Sequence, residues 1–383
     1  MQQPIYLDHA ATTPAHPEVA RVMMDCMVNT FGNPSSIHSF GRQARHIIDD
    51  ARAFIAKSIN ASENEIIFTS GGTEADNTAL FGVAMANKEK GNHIITTSIE
   101  HHAILHTCNQ LEKEGFEITY LPVNEFGEIN LDALKAAITE STILVSIMYG
   151  NNEVGTIQPI KEIGELLSDS PIIFHSDAVQ AYGTQPIDVK DLHLDLMSVS
   201  AHKIKGPKGI GFLYAKNGIK FFPRQYGGEQ ERKRRAGTEN VAGIAGFKEA
   251  VRLAHDGLQG KIEKYEQFKH RMASIFEQEK IQFEINGEGA KSSLPHVLNI
   301  SFSGTNVESM LVNLDLAGIA ASSGSACTAG SIEPSHVLVA MFGNESSRTT
   351  NSIRFSFGFE NTLDEIEKAA LSITKIVKKI TER

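Results

Sequence analysis

Three apolar runs in the sequence end in residues that can do chemistry. The first, Ile67-Phe68-Thr69-Ser70-Gly71-Gly72-Thr73-Glu74, leads into two glycines and a helix start. Backbone N–H groups at such a start, reached through glycines that let the chain come close, bind phosphate. The Thr73 hydroxyl is placed to cap that helix and to bond a phosphate oxygen. Neither the GK[ST] ending of a Walker loop nor GxGxxG is present, so ATP and dinucleotides lose support; alone, the stretch reads equally well as a helix cap. The second run, Ile172 to Gln180, ends in Asp177. A carboxylate at the end of a hydrophobic strand is costly to desolvate unless a cation pairs with it, although an aspartate there also serves as a helix cap. The third, Ser198 to Gly209, ends in Ser200, His202 and Lys203 before the turn at Gly206-Pro207. A lone lysine is more often a solvated surface residue.

Together the three specify more than each alone. A phosphate cradle, a buried carboxylate and a lysine at neighbouring strand ends are what pyridoxal 5'-phosphate requires: an anchor, a partner for its protonated ring nitrogen and a Schiff-base amine. Ser200 and His202 could add bonds to the phosphate. His101, in Glu100-His101-His102, offers an imidazole to stack on the ring and to move protons near neutral pH. Glu100, His101, His102 and His106 also look like a metal cluster, but HExxH is absent and no metal is expected.

Elements that could hold these groups follow from the hydrophobic pattern. EIIFTS, HIITT, FEITYL, TILVSIMY, PIIFHSDA, LDLMSVS and GIGFLYA read as strands, and helices are expected from Glu74 to about Lys88, near Ala103 to Glu114 and near Leu131 to Glu140. That rhythm predicts an α/β fold, a mainly parallel sheet flanked by helices, with ligands at the carboxyl ends of the strands. Beyond about residue 240 long charged helices run to about Lys280, followed by VLNISF, SIRFSF and a closing helix with Ile366, Ala370, Ile373, Val377 and Ile380 on one stripe. The expected division is a large cofactor-binding domain at 15–255 and a smaller α+β C-terminal domain at 256–383 packed with residues 1–14.

Composition bounds the function. The 383 residues hold 36 Lys and Arg against 46 Asp and Glu, a net charge of −10, which argues against direct nucleic-acid binding. The longest charge-free stretch, Leu316 to Ile332, has 17 residues rich in Ser, Gly and Ala, so no membrane span is expected. Met1 to Tyr6 shows no secretory pattern, and a cytoplasmic location is expected. Cys26, Cys108 and Cys327 are three, widely spaced and without CxxC, which speaks against disulfides and structural zinc. Cys26 and Cys108 sit in apolar runs and read as core. Cys327, in Ser322-Ser323-Gly324-Ser325-Ala326-Cys327-Thr328-Ala329-Gly330, sits among small residues and reads as an accessible thiol on a mobile loop. Arg232-Lys233-Arg234-Arg235 reads as a solvated run, or else as a contact for a dimer partner or an acidic acceptor.

These motifs in this order, YLDHAATTP, FGNPSS, TSGGTEADN, EHHAILHT, YGNNEVG, HSDAVQ, SAHKIKGPKG, GGEQERKRRAGTEN, SSGSACTAG and IRFSFG, closely resemble the cysteine desulfurases of the class V aminotransferase superfamily, over nearly the whole chain. The resemblance implies the pyridoxal-phosphate fold type I. It implies that Lys203 holds the cofactor covalently, that Asp177 pairs with its ring nitrogen, that His101 stacks on it, and that Asn152 and Gln180 bond its hydroxyl side. Gly72, Thr73, Ser200 and His202 would hold the phosphate. A homodimer is implied, with Thr238 reaching the partner's phosphate and FGNPSS near the substrate mouth. Arg354 would pair with the substrate carboxylate. The implied reaction converts L-cysteine to L-alanine and leaves a persulfide on Cys327, His101 being the expected acceptor of its thiol proton, for transfer to acceptor proteins of iron–sulfur cluster assembly or tRNA thiolation. A selenocysteine lyase or another class V pyridoxal-phosphate enzyme is the alternative; a transaminase has no use for the loop thiol.

Overall fold

The computed structural model describes residues 4–324 and 333–382. Its centre is a seven-stranded sheet in the order 66–69, 211–215, 196–200, 173–177, 142–146, 93–97, 117–121. All neighbours run parallel except Gly211–Ala215, which is antiparallel to both strands beside it. Six of the seven strands, including Thr142–Ser146, have every residue buried and all contain apolar runs, as a sheet covered on both faces requires. The antiparallel strand turns the chain back, so Ile66–Thr69 again points the same way as Leu196–Ser200. Thr69, Thr97, Ser146, Asp177 and Ser200 therefore end at one edge, and the loops beyond them converge there.

Helices pack on both faces. Gly72–Asn87 buries Ala75, Ala79, Leu80 and Val83, and His102–Lys113 buries Ile104, Cys108 and Leu111. A second core forms around the three-stranded antiparallel sheet 283–286, 297–302, 352–356. There Phe268, Phe276, Phe302 and Phe355 meet Ile366, Ala370, Ile373 and Val377 of the last helix, Leu363–Thr381. Leu7 belongs to that core, and the short strand Ile5–Tyr6 pairs in parallel with Ile319–Ala320.

The expected helices form with shifted ends. Leu131–Ala137 is shorter than expected because the chain turns at Thr139, whose N–H bonds the Thr142 hydroxyl. The strand of TILVSIMY ends at Ser146, although Ile147 and Tyr149 still donate N–H groups to His175 and Asp177. Cys26 and Cys108 are buried, at 4% and 0% exposure, and burial raises both thiol pKa values. Among the described residues no helix is long and apolar enough to cross a membrane.

Candidate active site

The loops at the converging strand ends enclose a cavity of about 360 Å³. Gly72 and Thr73, Asp177 and Gln180, Ser200, His202 and Lys203, His101, Asn152 and Arg354 all line it. Ten of the residues expected from sequence therefore share one hole, although they span 72 to 354. Thr238 does not line it and is exposed. Cys327 lies outside the described residues; Gly324, just before it, lines the same cavity.

At the anionic end, Gly71 adopts φ +150°, a conformation essentially reserved for glycine, and turns the chain into the helix one step early. The helix begins at Gly72, and a Cβ there would meet Val179 Cγ2 at 2.7 Å. Thr73 is thus not the cap expected from the sequence. The N-cap is Gly71, without a side-chain bond, while the Thr69 hydroxyl donates to the Gly71 carbonyl at 3.0 Å. Thr73, in the first turn, lines the cavity beside the helix-start N–H groups that lack intrahelical acceptors. Glu74 faces away: it accepts from Ser70 N–H at 2.7 Å and pairs with Arg235 at 2.8 Å. The basic run is accordingly less solvated than its composition indicates, since Arg235 braces this helix start and Arg234 donates to the Asn64 carbonyl.

Opposite, Asp177 combines both readings of its position. Its Oδ1 accepts from Val179 N–H at 2.9 Å, as a capping aspartate would, and it is 7% exposed at the cavity wall. Burial raises its pKa, and the Val179 bond and the Lys203 charge oppose that rise. Lys203 donates through Nζ to the carbonyls of Ala10 and Ala11 at 2.6 and 2.8 Å. Gln180 also donates to Ala10 O, at 3.0 Å. Ser200 is buried, and His202 Nδ1 lies 3.1 Å from the Thr12 hydroxyl.

His101 caps its helix through Nδ1, which accepts from Ala103 N–H at 3.1 Å. Burial, then Lys203, pushes its pKa down to about 4, so the ring is neutral at physiological pH and carries its proton on Nε2. The expected task of taking a thiol proton does not fit that tautomer, because the free lone pair is already used. Among the described residues no group of three His, Cys, Asp or Glu is placed to hold a metal. Glu100 instead accepts from the Thr97 hydroxyl and Met148 N–H at 2.8 and 2.9 Å.

Arg354, 4% exposed, donates from Nη1 to the Asn152 carbonyl at 3.1 Å and from Nη2 to Asp8 at 2.9 Å. Its Nε has no hydrogen-bond partner among the described residues. Nearby Glu153 is 1% exposed, and burial pushes its pKa up to about 7 against the Ser335 bond and the Arg354 charge. Asp8, Asp76, His175 and Glu153 were not singled out from the sequence. For Asp76 a signal existed: it lies three residues after Thr73, on the same helical face, in a helix rich in Ala.

The donor set fits pyridoxal phosphate. Helix-start N–H groups, a threonine and a histidine can hold a phosphate, while a buried carboxylate and a lysine amine line the same cavity.

This fold and this cavity define a class of enzymes, and the comparisons with known proteins agree. The aminotransferase class-V family model matches residues 5–369, and the chain belongs to that family. It is 58% identical over 377 residues, 98% of this chain and 99% of the other, to a Bacillus subtilis (strain 168) protein provisionally named cysteine desulfurase IscS 1. It is 49% identical over 383 residues, 100% of this chain and 96% of the other, to the cysteine desulfurase IscS of Clostridium botulinum (strain Hall / ATCC 3502 / NCTC 13319 / Type A). Among solved structures a NifS-like protein superposes with TM-score 0.92 at 34% identity, covering 98% of this chain and 100% of that one.

Proposed function

We propose that the chain is a pyridoxal phosphate-dependent cysteine desulfurase that converts L-cysteine to L-alanine and holds the sulfur as a persulfide on Cys327. The observation that carries this reading is the meeting, in one cavity, of the helix-start cradle at Gly72-Thr73, the buried Asp177, Lys203 and the incompletely bonded Arg354, in a chain whose full-length relatives bear the name cysteine desulfurase. A solved structure named SspA in complex with cysteine, 35% identical with TM-score 0.80 over 92% of this chain and 98% of that one, supports the substrate class.

When bound, the cofactor supplies an electron sink for the pair released at the substrate α-carbon. Gly72, Thr73, Ser200 and His202 hold its phosphate, and Asp177 stays anionic to keep the ring nitrogen protonated. Asn152 and Gln180 face its hydroxyl side. Lys203 anchors it and shuttles the α-proton. Arg354 receives the substrate carboxylate. His101 would pack on the ring and donate its Nε2–H as a hydrogen bond. The Cys327 thiolate attacks the substrate sulfur: the S–S bond forms, the C–S bond breaks, and the electron pair left on the β-carbon takes a proton to give alanine.

The domains divide near residue 255, with 15–255 holding the cofactor and 256–383 packing with 1–14. The working unit is a homodimer. Met24, Met27 and Val28 on the helix Pro17–Asn29, with Phe31, Ile37 and Phe40 beyond it, are each at least 50% exposed, an apolar band that a second copy would cover and that supports Thr238 reaching the partner's phosphate. The sulfur passes in the cytoplasm to acceptor proteins of iron–sulfur assembly or tRNA thiolation. The test is sulfide and alanine release from L-cysteine with dithiothreitol: Cys327→Ala keeps the cofactor's visible absorbance and releases no sulfide, whereas full activity in that variant overturns the assignment.

A further inference from the structure

Asp76 lines the cavity beside Asp177 and is 1% exposed. Two carboxylates in one desolvated space cannot both ionise cheaply, and the surroundings decide which one keeps a proton. Asp177 has the Val179 N–H and the Lys203 charge to support an anion. Asp76 has no comparable support. A basic group, His175 Nε2, lies 3.7 Å from Asp76 Oδ1. That imidazole is fully buried and spans two hydroxyls, Ser146 Oγ at 2.9 Å from Nδ1 and Ser198 Oγ at 3.0 Å from Nε2. Burial pushes its pKa down to about 3, so it is neutral.

Ser198, on the neighbouring strand, opposes the rise in the Asp76 pKa, which burial and then Asp177 drive. With Ser146 donating to Nδ1 and Nε2–H donating to Ser198, each hydroxyl proton points along the chain toward Asp76. Oδ1 has no hydrogen-bond partner among the described residues. The remaining charged neighbour, Glu100, is an acid whose own pKa burial pushes up to about 8, and Glu74 on the same helix turns out to Arg235.

We propose that Asp76 is a positioning residue, held as a neutral carboxylic acid, which reserves the negative charge of the cavity for Asp177. This rests on the reading that Asp177 pairs with the cofactor's ring nitrogen. A second carboxylate so close would draw the ring proton, or the Lys203 ammonium, out of register with Asp177.

The experiment uses infrared difference spectra of the apoprotein at pH 7, with aspartate carboxyls labelled by carbon-13 so that Glu100 and Glu153 stay silent. A protonated-carboxyl carbonyl band is expected in the wild type, lost in Asp76→Asn and kept in Asp177→Asn. Absence of the band from the wild type, or its loss in Asp177→Asn alone, overturns the proposal. Denaturant unfolding of the apoproteins gives a second readout. Holding an acid neutral stabilises fully below its unfolded pKa of about 3.9, and that stability is lost as pH rises toward the folded value. The unfolding constant of the wild type should therefore rise relative to Asp76→Asn by up to about tenfold per pH unit above pH 4. A gap that does not change with pH also overturns it. In the holoenzyme Asp76→Asn keeps the visible absorbance and Asp177→Asn loses it. An unaltered absorbance in Asp177→Asn would overturn the role of Asp177 and leave the proton on Asp76 standing.

Discussion

Two buried arginines show how a structural charge differs from one kept for a ligand. Arg52, on the helix Ser39–Ser58, has a side chain 6% exposed and meets Glu231, itself 2% exposed. Nη1 donates to Glu231 Oε2 at 2.7 Å and Nη2 to Oε1 at 2.6 Å, while Nη1 also bonds the Ile66 carbonyl at 2.7 Å. Glu231 Oε2 takes Phe68 N–H as well, at 3.1 Å. Fork and carboxylate are matched face to face. Arg354 is as deeply buried but has one carboxylate oxygen, one carbonyl and an unused Nε. Its partner Asp8 keeps 17% of its side chain exposed. A buried cation left short of acceptors is costly unless something else supplies them, and the substrate carboxylate proposed above is suited to do so.

The comparison is broken most directly at Arg52. Arg52→Met leaves Glu231 buried without its cation and should lower unfolding free energy by about 3–5 kcal/mol, read as a shift in the denaturant midpoint. A loss under about 1 kcal/mol would show that the pair does not hold this corner of the sheet. Next in size is Arg354→Lys. A point charge replaces the planar fork, so kcat/KM for L-cysteine should fall about 10²-fold, roughly 2.7 kcal/mol of transition-state binding, with the cofactor absorbance retained. Unchanged kcat/KM in sulfide release would remove Arg354 from the substrate site.

The sequence made the site legible where chemistry sits at strand ends. Asp177 and Lys203 each close a run of buried β-branched and apolar residues, so their shared edge follows from strand direction alone. Thr73 was misplaced as a cap because the early turn depends on Gly71 at φ +150°, a backbone choice that glycine permits without announcing. The basic run 232–235 concealed its buried neighbour Glu231, since composition cannot show that Glu231, Arg232 and Lys233 take positive φ and fold the carboxylate inward to Arg52. Asp76 looked like one polar residue on a helix; only the packing of that helix over Ser198 and His175 makes it buried. The hold of Ala10 and Ala11 on Lys203 was invisible for a related reason, being fixed by pairing of Ile5–Tyr6 with Ile319–Ala320, more than 300 residues away.

The smallest effect is the most discriminating, because its sign separates two roles for Asp8. If Asp8 served Arg354 as Glu231 serves Arg52, neutralising it would weaken the site. The single contact at 2.9 Å indicates another balance. In Asp8→Asn the amide oxygen can still accept from Nη2 and keep the guanidinium oriented, while the negative charge that competes with an incoming carboxylate is gone. The KM for L-cysteine should then fall by about three- to fivefold, close to 1 kcal/mol, the scale of one partly exposed charge interaction. Asp8→Ala loses the acceptor as well, so its KM should rise above the wild-type value. A rise in KM for both variants would mean that Asp8 is needed as an anion and that Arg354 resembles Arg52 after all.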